Sequence, residues 1–560
     1  MDVTLKIFQP FWLICLLVLS MQAQNVRTLH EKVTLADGVQ LSTDLYLPPI
    51  EGAYPVVLLR TPYGKQQMQA YGNFFAGKGY ATVVQEVRGT FGSTGQFLPF
   101  VNEKKDGLEV LNWLVRQPWC DGQIAGFGTS YIGFCALTLM DAQHPNLKTV
   151  FNVSGWIKTA KMNAPGGAMH LQLALPWLLN EARQRTRQSP KVPMDSLYKV
   201  VPLKNAMAVA GMPSQGWAHP EQMQRVNADF DFSKVNIPVF HIAGWYDFVK
   251  EETIETYIAI NKHAKAPQKL WITPAYHNQE HTRLTKVGDV DFPEAAFLRD
   301  AAILQTALRW FDHWLKGKEN GILQEPNVKV YNMFANEWQE LTSFPPQNVE
   351  EAPFYLHSLQ GDGRLSKKAI KNSKPATYHY NPLNPVPTWG GANFHFFPES
   401  LGIKDQRDIE QRPDVLVYTS DSFATAQDVV GQVRVRLFAA TTGEDTDFTA
   451  KLVLVDGSGK AYNICDGIIR ARHRQGLTTN VLLTPGKIYE FTIDLGHLAF
   501  RIQAGQRIRL EISSSNFPKF NRNFNVADDP FVATTPKPVQ QTIYHSRRYS
   551  SQLILPFVQK

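Results

Sequence analysis

The sequence predicts an α/β sheet domain with an inserted helical cap, followed by an all-β domain of sandwich or jelly-roll type. Three observations lead there. Up to about Lys316, short apolar runs alternate with helical patterns, which argues for a mostly parallel sheet covered by helices on both faces. Between Trp156 and Lys234 the rhythm gives way to helical, partly amphipathic sequence, the mark of a cap set above the sheet. From about Asn327 the runs become short, β-branched and aromatic, with frequent turn signals.

Length and composition set the limits within which this reading must fit. At 560 residues the chain exceeds one core and divides into domains of about 100 to 250 residues. A hydrophobic share of 44% with 11% aromatics can fill such cores and excludes a disordered chain. Lys and Arg exceed Asp and Glu by only 7, with no basic block, so nucleic-acid binding is not indicated. No internal repeat or low-complexity linker interrupts the chain.

The elements follow in order. Lys6, the apolar run Phe8 to Leu19 and the small residues up to Ala23 predict an export signal over residues 1–23, with a mature chain from near Gln24 that is periplasmic or extracellular. Pro10 and the shortness of the run argue against a stable membrane span. Cys15 follows bulky Ile14 and does not look like a lipid-attachment site. Cys120, Cys135 and Cys465 make neither a disulfide framework nor a zinc spacing. Glu31 to Pro48 reads as a hairpin turning at Ala36-Asp37-Gly38. Strands are expected at Pro55–Arg60, Tyr80–Val87, Gln123–Gly126, Val150–Val153, Val239–Ala243 and Leu270–Thr273, and helices at His170–Arg185 and Pro293–Lys316. In the β region, Gln432–Phe438, Phe448–Leu454 and Arg507–Ser513 are the clearest strands. The expected domains are therefore 24–155 with 235–326, the cap 156–234, and the β domain 327–560.

Chemistry concentrates where a strand breaks at Gly126-Phe127-Gly128-Thr129-Ser130-Tyr131-Ile132-Gly133 and turns helical. A serine on a tight strand-to-helix turn presents its hydroxyl to a cleft with backbone N–H groups nearby, the arrangement of an α/β-hydrolase nucleophile elbow. The usual G-x-S-x-G becomes G-x-S-Y-x-G, because Ile132 holds the place of the second glycine. In such a sheet an acid and then a histidine follow at later strand ends. The strand Ile237–Ala243 ends in Gly244-Trp245-Tyr246-Asp247, where Asp247 suits an orienting acid and also the cap of the helix near Val249. The strand Leu270–Thr273 runs into Pro274-Ala275-Tyr276-His277, and His277, with His281 as its rival, suits a general base.

With Arg60-Thr61-Pro62-Tyr63-Gly64, Arg88-Gly89 with Ser93 and Gly95, Pro118-Trp119-Cys120-Asp121-Gly122, Trp310-Phe311-Asp312-His313-Trp314-Leu315-Lys316 and Ile512 to Pro518, these motifs span nearly the whole mature chain. The sequence resembles the hydrolases related to cocaine esterase and Xaa-Pro dipeptidyl-peptidases. The resemblance implies an α/β-hydrolase sheet with a jelly-roll, galactose-binding-like domain. It implies Ser130 as nucleophile, Asp247 as acid, His277 as base, and an oxyanion hole from the Tyr63 hydroxyl and the Tyr131 N–H, with no metal or organic cofactor. Trp177 and Trp217 of the cap would line the pocket.

Two departures bear on substrate. Thr273-Pro274-Ala275-Tyr276 replaces the family's Gly-Pro-Trp-x before the histidine. Relatives that cleave α-amino acid esters carry two carboxylates after the acid, where this chain has Val249 and Lys250, and nothing in the sequence aims Glu251 at the cleft. The expected activity is that of a secreted serine esterase or acylase acting on a small ester, an amide or a short peptide. The alternative is an Xaa-Pro dipeptidyl-peptidase. Two further readings are a zinc peptidase, since His277 to His281 spells H-x-x-E-H, and a carbohydrate-binding protein built on the β domain.

Overall fold

The alternating stretches around Asp37 form a hairpin of β1 (Arg27–Thr34) and β2 (Gln40–Leu47), closed where Leu35 N–H donates to the Val39 carbonyl at 2.8 Å. The structure, a computed structural model, describes residues 26–214, 226–358, 363–369, 373–394 and 401–559. The expected leader and Trp217 lie outside them.

Apolar runs without alternation become strands buried on both faces, as expected of a parallel sheet. These are β3 (Tyr54–Thr61), β4 (Ala81–Glu86), β5 (Cys120–Thr129), β6 (Leu147–Val153), β7 (Val239–Tyr246) and β8 (Gln268–Tyr276). A two-stranded excursion, β9 (Lys286–Val287) and β10 (Val290–Asp291), leaves the sheet, which resumes with β11 (Val328–Asn332) and β12 (Glu337–Leu341). The ten-stranded order is β1-β2-β4-β3-β5-β6-β7-β8-β11-β12. From β4 to β11 neighbouring strands are parallel, and the order reverses between β3 and β5. Clefts form outside the carboxyl ends of strands at such a reversal.

The last two strands correct one expectation. The boundary expected at residue 327 cuts off β11 and β12, yet β11 pairs in parallel with β8 through Val328–Leu270 and Val330–Ile272. Composition could not show this, because a β-branched strand reads alike whichever sheet it joins. The second sheet starts at Val349. Its eleven strands run from Val349–Ser358 to Gln552–Val558, and the long strand Gln427–Thr441 pairs with Tyr489–Ile502, Val539–Ile543 and Gln552–Val558. The second domain is all-β, as the sequence predicts.

Between β6 and β7 lies the cap, whose main helix is Leu171–Thr186. It packs on the β domain: Leu171, Leu175 and Leu178 share a cluster with Phe517 and Phe531. The cap approaches so closely that a Cβ on Gly166 would lie 1.9 Å from the Ile468 carbonyl oxygen. Met169 N–H donates to Asn521 Oδ1 at 2.9 Å beside the buried Arg470–Asp447 ion pair. Among the described residues no helix is long and apolar enough to cross a membrane.

The helix Asp300–Lys316 seals one sheet face with Trp310, which is fully buried. Its ring meets Phe240 edge-on at 5.4 Å and its Nε1–H donates to Thr149 Oγ1 at 2.7 Å. Trp310→Ala is expected to destabilise the protein by about 3–5 kcal/mol, the usual cost of emptying a large aromatic site. Denaturant titration checks this, and a loss under about 1 kcal/mol would mean that the face collapses to fill the hole.

Candidate active site

Four side chains converge at the carboxyl ends of the parallel strands. Tyr63 follows β3, Ser130 follows β5, Asp247 follows β7, and His277 follows β8. Ser130 stands between β5 and the helix Tyr131–Leu137 with φ 58° and ψ −126°, a conformation that costs an L-residue about 1–3 kcal/mol. Its N–H is held by the Val153 carbonyl at 2.9 Å, and its carbonyl accepts from Phe134 N–H at 2.9 Å.

The glycines around the elbow are required by close approach. A Cβ on Gly128 would lie 2.6 Å from the backbone carbonyl carbon of Ile132. A Cβ on Gly133 would lie 2.4 Å from Asn152 Oδ1 and 3.3 Å from Gly155 Cα. The late glycine therefore sits where the helix crosses the end of β6, whereas Ile132 points its side chain into the core beneath.

His277 Nε2 lies 3.0 Å from Ser130 Oγ, and His277 Nδ1 lies 2.9 Å from both Asp247 oxygens. Asp247 Oδ1 also accepts from Val249 N–H at 3.0 Å. The helix Lys250–Asn261 is capped at Val249 without a side-chain bond, so Asp247 is not its cap, and the bond from Val249 N–H instead fixes the carboxylate that faces the imidazole. Both groups are buried, and Phe248 covers the imidazole at 4.4 Å with Phe394 of the β domain behind it. Gly244 permits this geometry, since a Cβ there would lie 2.3 Å from the Ala275 carbonyl oxygen.

The tyrosines complete the cleft. The Tyr63 hydroxyl is within hydrogen-bonding reach of Ser130 and accepts from Trp177 Nε1–H at 3.3 Å. Burial, with the charge of Glu181, pushes its pKa well above the ordinary phenol value, so it is a neutral donor. The Tyr131 N–H is the first of its helix and has no partner within it. Sequence reasoning assigned Tyr131 only its backbone. Its buried hydroxyl donates to Glu103 Oε1 at 2.5 Å and accepts from Phe100 N–H at 2.8 Å, which anchors the start of the helix. Burial pushes Glu103 up to about 7, despite Tyr131 and Arg60 beside it. No motif marked Glu103, because its role arises from a contact across the fold.

The rival histidine is otherwise engaged, as His281 Nδ1 meets Asp300 at 2.8 Å. Gln279–His281 is a single 3₁₀ turn at a strand end, so the H-x-x-E-H residues do not share a helix face, and the two imidazoles serve different carboxylates. Lys250 turns away from the cleft to the β domain, donating to the His497 carbonyl at 2.7 Å. Glu251 accepts from His497 N–H and faces its Nδ1, each at 2.8 Å. Burial would raise the Glu251 carboxyl, but Lys250 and His497 outweigh it and hold it well below the ordinary range. Trp177 stacks on Tyr131 and Phe100 as a wall of the cleft.

Residues 37–279 match the X-Pro dipeptidyl-peptidase (S15 family), and residues 320–554 match the X-Pro dipeptidyl-peptidase C-terminal non-catalytic domain. Cocaine esterase from Rhodococcus sp. (strain MB1 Bresler) is 33% identical over 533 residues, covering 88% of this chain and 91% of that protein. Of solved structures, an aminopeptidase from the marine sediment archaeon Thaumarchaeota archaeon aligns with TM-score 0.82 at 22% identity, over 100% of this chain and 99% of its own. An α-amino acid ester hydrolase aligns with TM-score 0.81 at 22% identity, over 100% of both chains. These two likenesses establish the fold.

Gly128→Ala is expected to push the helix off β5 and displace Ser130, slowing its labelling by a serine-directed fluorophosphonate about 100-fold. Labelling at the original rate would show that the helix can shift without moving the hydroxyl.

Proposed function

Because the chain belongs to the serine-hydrolase family of the X-Pro dipeptidyl-peptidases (S15) and cocaine esterase, we propose that it cleaves an ester or amide by acyl transfer, with Ser130 as nucleophile, His277 as base and Asp247 as orienting acid. The observation that carries this reading is the unbroken relay of contacts, 3.0 Å from Ser130 Oγ to His277 Nε2 and 2.9 Å from His277 Nδ1 to Asp247.

Ser130 gives its proton to His277 Nε2 as its oxygen attacks the carbonyl carbon. Asp247, hydrogen-bonded to Nδ1–H, holds the tautomer that leaves Nε2 free to accept and stabilises the imidazolium that forms. Charge develops on the carbonyl oxygen, where the Tyr63 hydroxyl and the Tyr131 N–H donate. Trp177 polarises the Tyr63 hydroxyl by donating to its oxygen, which strengthens the bond that the phenol gives. His277 then protonates the leaving group, and a water activated by the same imidazole releases the acyl group. Trp177, which bonds the Tyr63 hydroxyl and stacks on Tyr131, gives the cleft an aromatic wall that favours an apolar acyl or leaving group.

Ester or acyl-amide cleavage is the first reading, since Val249 and Lys250 remove the carboxylates that would hold an α-ammonium group beside the acid. The match of residues 37–279 to the X-Pro dipeptidyl-peptidases supports peptide cleavage as the second.

Ser130→Ala is expected to abolish turnover of activated esters while far-UV circular dichroism is unchanged; retained turnover would sink the nucleophile assignment. Tyr63→Phe is expected to lower kcat by about 100- to 1000-fold, as loss of one oxyanion donor does. A panel of aryl esters, acyl amides and Xaa-Pro p-nitroanilides separates the two substrate readings, and turnover confined to the Xaa-Pro amides would reverse their order.

A further inference from the structure

Any residue at position 131 would supply the backbone N–H beside Ser130, yet the residue there is a tyrosine whose side chain is fully buried. Its hydroxyl donates to Glu103 Oε1 at 2.5 Å and accepts from Phe100 N–H at 2.8 Å. A buried phenol with both bonds made has its ring, and through the ring its own backbone, fixed in place.

Glu103 ties two strand ends together. It is 3% exposed and opens the helix Glu103–Leu114. Its carboxyl takes the Tyr131 hydroxyl from the turn after β5, while its carbonyl accepts from Arg60 Nη1, near the end of β3, at 2.6 Å. Arg60 is buried and held by Gln85 Oε1 of β4 at 3.0 Å. A Cβ on Gly107, one turn along the helix, would lie 2.8 Å from Arg60 Nη1, so the guanidinium lies tight against the helix. Tyr63 stands three residues beyond Arg60. The Tyr63 hydroxyl and the Tyr131 N–H thus come from the two strands that Glu103 joins.

Three rings close the arrangement. The Tyr131 ring meets Tyr63 edge-on at 6.3 Å and lies nearly parallel to Trp177 at 6.0 Å, and Trp177 Nε1–H donates to the Tyr63 hydroxyl at 3.3 Å. A tilt of the Tyr131 ring would therefore move both donors, and such donors act fully only when held within about 0.5 Å of the productive geometry.

We propose that Glu103 is a positioning residue: through the Tyr131 hydroxyl it sets the placement of both oxyanion donors, the Tyr131 N–H and the Tyr63 hydroxyl, without touching the substrate. This rests on the acyl-transfer reading, since the two donors matter only if charge develops on a carbonyl oxygen beside Ser130.

The test compares 4-nitrophenyl benzoate with its thiono analogue, O-(4-nitrophenyl) thiobenzoate. Sulfur is a weak hydrogen-bond acceptor, so misplaced donors slow the oxo ester and spare the thiono ester, whereas a loosened fold slows both alike. Tyr131→Phe keeps the ring and the N–H. It is expected to lower kcat for the oxo ester about tenfold with KM within about twofold, and so to lower the oxo-to-thiono ratio of kcat at least about fivefold. Glu103→Leu is expected to act likewise, and Glu103→Gln, which keeps an acceptor oxygen, to stay within about threefold of the wild type. Added to Tyr131→Phe, Glu103→Leu is expected to cost at most about a further twofold, because the bond through which it acts is already gone. A wild-type ratio in Tyr131→Phe, or losses that multiply in the double variant, overturns the inference while acyl transfer stands. Should Glu103→Leu be insoluble, the ratio in Tyr131→Phe decides. Undiminished oxo-ester turnover by Ser130→Ala, or none by the wild type, overturns acyl transfer and the inference with it.

Discussion

The close approach of the helix Tyr131–Leu137 to β5 and β6 is the constraint on which the cleft depends. Only glycine fits at 128, 133 and 155 at that distance, and the short crossing forces Ser130 into a positive φ. The strain is held by burial and by hydrogen bonds that the turn cannot lose, from Ser130 N–H to Val153 below and from the Tyr131 hydroxyl to Glu103 beside it. The same turn leaves the first N–H of the helix without an acceptor inside the helix, next to the serine hydroxyl. The strain at Ser130 and the position of its hydroxyl toward His277 are consequences of one steric fact.

The imidazole is held from further away. Its strand, β8, lies beyond β7, and its cover comes from Phe248 and from Phe394 of the β domain. The β domain is therefore part of how the cleft is built. The helix after Asp247 is tied to it through Lys250, Glu251 and His497, which turns those side chains outward. The cap helix brings Trp177 to the other wall, where it bonds the Tyr63 hydroxyl.

Much of this was legible in the chain. Runs such as Pro55–Arg60 and Val239–Ala243 could only be strands of a doubly covered sheet, since they are apolar without alternation, and each falls inside an observed strand. The elbow, the acid and the histidine could be picked out because a parallel sheet places strand ends at one edge. The boundary at residue 327 failed because β11 and β12 share the composition of the domain that follows while pairing with β8. Glu103, Phe248 and Phe394 carried no signal, because contacts between distant segments leave no local pattern. H-x-x-E-H misled for the converse reason: its spacing implies chemistry only on a helix, and here it spans a strand end and a 3₁₀ turn.

The sequence by itself determined the order of strands and helices, the residue types at the strand ends and the glycines of the elbow, because these depend on period and on local backbone geometry. Only the tertiary structure decided which sheet claims residues 328–341, which histidine faces Ser130, and that Glu251 is spent on His497. Those outcomes follow from register and packing between segments far apart in the chain, where the free energy of burying or pairing a group depends on its neighbours in space.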